Sequence, residues 1–208
     1  MESPDLLLYT DAQFISPYAM SAFVALHEKG LPFRVETVDL GQRANRRPDF
    51  AGALLTQRVP VLVHDGFALS ESSAITEYLD DVLDGPRLYP ADPRQRALAR
   101  QVQAWIRSDF MPIRTERPTE VVFYRPSETP LSDAARDAAA KLLAATDALL
   151  APGASNLFDE WCIADLDLAL MLNRLALNGD AVPDRLAEYA RHQWRRPSVQ
   201  RWIELERP

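Results

Sequence analysis

A chain of 208 residues has room for one large domain or two small ones, and 47% hydrophobic with 25% charged residues predicts a substantial buried core rather than disorder. A formal net charge of -7 argues against a phosphate backbone or an anionic membrane surface as partner, because both need clustered positive charge. The only cysteine, Cys162, has no second thiol to pair with, which suits a reducing cytoplasm.

The first apolar run, Leu6 to Tyr9, reads as a buried strand. Met1 to Thr10 as a whole lacks the basic start and long apolar stretch of a signal peptide. A helix is expected from Ser16-Pro17, since serine is a favoured N-cap and proline suits the first helical position. Met20, Phe23, Val24 and His27 fall at helical spacing, and Gly30 ends the run. Phe33 to Leu40 alternates in part and reads as a second strand, giving a βαβ unit with a parallel strand pair. Gly41 to Gln57 is polar and irregular, with at most a short helix. Val59 to His64 and Phe67 to Leu69 flank Asp65-Gly66, a strong hairpin signal. Ser72 to Leu83 follows as a helix with Ile75, Tyr78, Leu79 and Val82 on one face.

Breakers cluster from Asp84-Gly85-Pro86 to Asp92-Pro93, which marks a domain boundary. Beyond it the pattern is helical: Arg94 to about Phe110, continuing past Pro112 or not; Ser132 to Leu150, capped by Ser132; Ile163 to Leu177; and shorter helices near Asp184 to His192 and Ser198 to Glu206. Ile163 to Leu177 is apolar around most of its circumference and is expected at the centre of the second domain. Asp165, near its start, suits the positive helix end. His27, His64 and His192 lie far apart with no metal-ligand spacing, so no metal is expected. No apolar run approaches the roughly 20 residues that span a bilayer.

Several motifs, in this order, resemble the glutathione transferase family across nearly the whole chain. Ser16-Pro17-Tyr18 is similar to the family's first-helix motif, and Arg58-Val59-Pro60-Val61-Leu62 to its cis-proline segment. Ser70-Glu71-Ser72-Ser73-Ala74-Ile75 resembles its Glu-Ser glutathione motif. Ile163-Ala164-Asp165 resembles the start of its buried capping-box helix, and Arg196-Pro197-Ser198-Val199 with Trp202 its C-terminal ending. Serine at the first position looks most like the serine-type bacterial enzymes, related to the theta and zeta classes. The resemblance implies an α/β plus all-α fold: a thioredoxin-like, glutathione-binding domain over residues 1–83, a linker over 84–92, and a C-terminal helical bundle over 93–208.

Each implied site residue also has an ordinary structural reading. A proline ahead of a strand is usually structural and trans; the resemblance makes Val59-Pro60 cis and turns the Val59 backbone toward the cysteinyl part of glutathione. Glu71-Ser72 is a polar helix start; the same free N–H groups suit the γ-glutamyl carboxylate, with Ser72 binding it and Glu71 facing the γ-glutamyl ammonium. Arg58 is an ordinary surface arginine, or reaches the glycine carboxylate. Ser16 is a helix cap, or in addition donates a hydrogen bond to the glutathione sulfur. Tyr9, Tyr18 and Ser21 are further hydroxyls nearby in sequence. A free thiol with a pKa of about 8.5 is little ionised at neutral pH, so that hydrogen bond and the helix dipole would activate it. Cys162 stands where the family usually carries serine or threonine. It is expected to be a small buried residue that caps poorly and weakens that helix start. Trp105 to Asp109, with Phe110, Met111, Phe123 and Tyr124, is expected to border the pocket for the second substrate.

The implied function is a cytoplasmic, homodimeric glutathione transferase of the detoxification type. Glutathione is its co-substrate and a small electrophile or hydroperoxide its other substrate, so peroxidase chemistry is included. Serine at position 16 disfavours thiol–disulfide exchange, which needs a cysteine there. A non-catalytic binding or scaffold relative is the alternative, discriminated by retention of Val59-Pro60 and Glu71-Ser72.

Overall fold

The computed structural model describes residues 5–52 and 55–208; positions 1–4, and positions 53 and 54 of the irregular segment, lie outside it. The element order is β1 (Leu6–Asp11), α1 (Pro17–Lys29), β2 (Arg34–Val38), β3 (Val61–His64), β4 (Phe67–Ser70), α2 (Ser72–Val82), α3 (Pro93–Ser108), α4 (Met111–Glu116), α5 (Glu120–Phe123), α6 (Asp133–Leu149), α7 (Ile163–Ala176), α8 (Asp184–Trp194) and α9 (Pro197–Ile203). Two compact units result. One runs to Leu88 and takes in Pro197–Pro208; the other is Tyr89–Arg196.

The first unit is a four-stranded sheet in the order β2-β1-β3-β4. β1 and β2 are parallel, as a helical crossover between them requires, while β3 runs antiparallel to both β1 and β4. β1 is central, so Leu6, Leu7 and Leu8 are all buried. The β3–β4 hairpin turns on Asp65 and Gly66, both at positive φ (47° and 85°), a left-handed pair that Asp-Gly tolerates. Gly30 ends α1 at φ 70°, its N–H bonded to the His27 carbonyl, as the sequence predicts. Among its described residues the irregular segment forms a one-turn 3₁₀ helix, Ala44–Arg46.

Two local expectations differ from the structure. β3 begins at Val61 rather than Val59, because Pro60 has no N–H to give a ladder. On α2 the anticipated apolar face is buried at Ile75 and Leu79, but Val82 remains 49% exposed. The final helix packs with the sheet unit. Its apolar side chains explain this: Val199 and Trp202 are wholly buried, and the Trp202 ring meets Phe23 edge-on at 5.2 Å. A buried ion pair, Lys29 with Asp80, ties the ends of α1 and α2; Lys29 Nζ also donates to the Leu83 carbonyl at 2.9 Å.

The second unit is all helical. Asp92 caps α3 through the N–H groups of Arg94 and Gln95, and Ser132 caps α6 through that of Ala135. The first long helix stops at Ser108; Phe110 takes φ 22°, and α4 starts anew at Met111. α7 runs through the core, where Leu168, Leu172 and Leu175 pack among Ile106, Ile113, Leu142 and Leu186. Asp165 lies fully buried in its first turn and accepts from Cys162 N–H (2.9 Å), Leu157 N–H (2.7 Å) and the Tyr189 hydroxyl (2.8 Å). Cys162 is buried as expected. Its cap is better made than a thiol suggests: both halves of the reciprocal box with Asp165 are present. Burial, and then the Asp165 charge, push the thiol pKa far up, so this sulfur is inert.

Candidate functional site

The register of the sheet brings three chain ends together. Tyr9 of β1 pairs with Val61 of β3, and Val61 pairs with Ser70 of β4. Continuing toward the same end of the sheet, β1 leads to Asp11 and the loop before Ser16. β3 leads back to Val59, and β4 leads to Glu71 and Ser72. Ser16, Val59 and Ser72 thus converge at one sheet end, at the N-termini of α1 and α2.

Ser16 is the N-cap of α1 and half-buried. Its Oγ accepts from Ala19 N–H at 3.2 Å, which leaves its own proton free to donate. The loop that carries it is fixed by Asp11, a residue the sequence reading passed over. Asp11 is buried at the end of β1, with Oδ2 accepting Ile15 N–H at 2.8 Å and Oδ1 accepting Ser16 N–H at 3.0 Å. The available signal was an acidic residue ending an apolar strand five places before the helix cap. Two of the other nearby hydroxyls are engaged differently. Tyr9 is within β1, its ring against Phe50 at 5.7 Å, and burial and the nearby Glu36 raise its pKa. Ser21 is fully buried on the core side of α1.

The Val59-Pro60 peptide is cis, both residues are buried, and Val59 lies just beyond the ladder that begins at Val61. Arg58 is exposed beside it, its backbone N–H on Thr56 Oγ1 at 3.3 Å. Glu71 is exposed and caps α2 at φ 73°, ψ 113°, a strained backbone for a residue with a side chain. That conformation turns β4 directly into α2, so the buried Ser72 stands at the first helical position. There the first-turn N–H groups have no carbonyl within the helix and carry positive potential. The arrangement suits an extended, anionic peptide-like ligand: N–H donors at one end, a strand-like backbone in the middle, a hydroxyl beyond.

The aromatic segment expected beside a second substrate is divided. Phe110 is buried against Trp105 (4.7 Å) and Phe123 stacks on Trp194, whereas Met111 and Tyr124 stay exposed. Among the described residues no group of three or more His, Cys, Asp or Glu side chains is placed to hold a metal, and no helix is long and apolar enough to cross a membrane.

Comparison with known proteins gives this arrangement a context. The family model for the glutathione S-transferase N-terminal domain matches residues 15–82, and that for the C-terminal domain matches residues 92–207. A glutathione transferase homologue from Burkholderia gl BGR1, solved with bound glutathione, is 49% identical, with a TM-score of 0.79 over 96% of this chain and 97% of that one. A probable glutathione S-transferase from Oryza sativa subsp. japonica is 34% identical over 102 residues, which are 47% of this chain and 42% of that protein. A maleylacetoacetate isomerase from Rattus norvegicus is 31% identical over 117 residues, 54% of this chain and 52% of that protein. The chain spans about half the length of the curated relatives it matches. With both domain models matched in order, and with a thioredoxin-like sheet unit and a helical unit present where they match, the chain belongs to the glutathione S-transferase family.

Proposed function

We propose that the chain is a glutathione transferase that binds glutathione at the sheet end described above and activates it as a thiolate. The observation that carries this reading is the convergence of Ser16, Val59 and Ser72 at that end, on two helix N-termini and a cis-proline strand start. The γ-glutamyl carboxylate lies on the Ser72 hydroxyl and the first N–H groups of α2, with Glu71 facing the ammonium. The cysteinyl backbone pairs with the Val59 N–H and C=O beside Pro60, and Arg58 meets the glycine carboxylate. Ser16 donates its hydroxyl proton to the sulfur, and the N-terminus of α1 adds positive potential, so the thiol ionises near neutral pH. The thiolate then attacks an electrophilic carbon and displaces its leaving group. With a hydroperoxide it attacks the terminal oxygen, the O–O bond breaks and the alcohol leaves, and a second glutathione displaces water from the resulting sulfenic acid to give the disulfide.

The bound Burkholderia homologue supports the ligand, and the single inert cysteine suits a cytoplasmic setting. In calorimetry, Ser72→Ala is expected to weaken glutathione binding about 10- to 100-fold, the loss of one charge-assisted hydrogen bond of about 1.5–3 kcal/mol. Unchanged affinity would move the γ-glutamyl site elsewhere. Binding by neither variant nor wild type would leave the scaffold reading in its place.

A homodimer accompanies this reading. Phe67 and Val82 on the sheet unit are half-exposed, as are Leu98 and Leu149, which line an apolar groove of about 400 Å³ on the helical unit with Val102 and Trp105. A second copy covers such surfaces. Sedimentation equilibrium should give twice the chain mass, and a monomer at micromolar concentration counts against it.

A further inference from the structure

The loop that carries Ser16 is held from a second side, by α9 and the segment that follows it. Phe14, two residues before Ser16, takes φ 50°, a left-handed conformation that costs a phenylalanine free energy and persists only where its surroundings fix it. Three contacts do so. Its N–H donates to the Asp11 carbonyl at 3.1 Å. Its ring stands edge-on to Trp202 at 5.6 Å. Its carbonyl accepts from Arg207 Nη2 at 3.4 Å.

The last of these is a long-range tie, across 193 residues of sequence within one unit. Arg207 is itself anchored. Nη1 donates to the carbonyls of Ile203 (2.8 Å) and Leu205 (2.9 Å), and Nη2 donates to that of Trp202 (2.9 Å). The guanidinium thus caps the carbonyl end of α9 and directs one N–H outward to the loop. Trp202, which supplies the ring contact, is fully buried and cannot shift without disturbing the core against Phe23. Residues 12–16 are therefore clamped between Asp11 on the strand side and the Trp202–Arg207 segment on the other.

We infer that Arg207 is a positioning residue for Ser16: through Phe14 it sets where the Ser16 hydroxyl points. This rests on the proposed role of Ser16 at the glutathione sulfur. A hydrogen bond to a thiolate is sensitive to direction, and misplacement of a catalytic group by about 1 Å costs about 100-fold in rate. Arg207 touches neither ligand nor sulfur in this reading, so its loss acts on turnover and not on affinity.

The test uses Arg207→Met and Arg207→Lys in the full chain. Amide hydrogen exchange on the ligand-free protein reads the clamp directly: Arg207→Met is expected to speed exchange at Phe14, Ile15 and Ser16 several-fold, with the β1 core unchanged. Wild-type exchange rates at those amides in Arg207→Met overturn the inference whether or not glutathione binds. Turnover with glutathione should fall about 10-fold or more in Arg207→Met, while its glutathione Kd stays within about threefold of wild type. The ultraviolet thiolate titration should show the bound thiol ionising at higher pH, and Arg207→Lys should recover part of each effect. Faster exchange with unchanged turnover and thiol titration reduces Arg207 to a structural tie and overturns the positioning role. A wild-type chain whose bound thiol titrates identically in Ser16→Ala removes the reading of Ser16 itself, and the positioning role falls with it.

Discussion

Replacing Asp165 with alanine is expected to lower stability by about 3–5 kcal/mol, because three buried donors lose their acceptor at once, each costing about 1–3 kcal/mol when left unsatisfied. The donors are the N–H groups of Cys162 and Leu157 and the hydroxyl of Tyr189, which comes from α8. One carboxylate therefore closes the start of α7, fixes the preceding loop and joins two helices of the core. A protein of this size should melt about 10 °C lower, and denaturant titration by tryptophan fluorescence reads the free energy directly. A loss below about 1 kcal/mol would show the three bonds to be replaceable by water, and the box to be ornamental.

The asparagine variant separates acceptor geometry from charge. Burial pushes the Asp165 carboxyl above its ordinary value of 3.8, against the pull of its three donors. A carboxyl with a raised native pKa holds its proton more tightly folded than unfolded. Its contribution is complete below the unfolded value and is lost as pH rises through the native one. Stability of the wild type relative to Asp165→Asn should accordingly be greatest at the acid end and narrow toward neutral pH. A gap that widens with pH over the same range contradicts the sign.

Local chemistry explains which features were legible in the sequence. Ser16 and Ser132 act on N–H groups three residues away, and Asp65-Gly66 folds within four residues, so short patterns sufficed. The parallel β1–β2 pair and the β3–β4 hairpin followed from the βαβ pattern and the Asp-Gly turn. What escaped was set by distant partners. Lys29 meets Asp80 across 51 residues, Arg117 meets Asp180 across 63, and Arg207 meets Phe14 across 193. The burial of Trp202 against Phe23 is likewise a long-range contact that the periodicity of α9 does not reveal. Asp11 is the instructive case at the site. Its partners are local, but an aspartate at a strand end has many uses, and only the fold shows both carboxylate oxygens spent on the Ser16 loop. Val59 and Ser72 were placed by the resemblance, because the pairing that unites them with Ser16 is long-range.

At Ser16 the cap and the proposed thiolate donor make separable demands on one hydroxyl. Ser16→Ala removes both. Loss of the cap should cost about 1 kcal/mol of stability, since Ala19 N–H loses its acceptor. Loss of the donor should leave glutathione affinity within a few-fold and return the bound thiol toward its free pKa of about 8.5. Turnover at neutral pH should then fall about 100- to 1,000-fold, the usual cost of removing one donor to a developing anion. The deficit should shrink as pH rises, because above the free value the thiol ionises without help. Ser16→Thr keeps both functions and should retain the neutral-pH thiolate. A cap alone predicts something different: the alanine variant would lose stability, yet its bound thiol would titrate as in the wild type and its turnover would be unchanged. The stability change is common to both readings, so the thiolate titration decides between them.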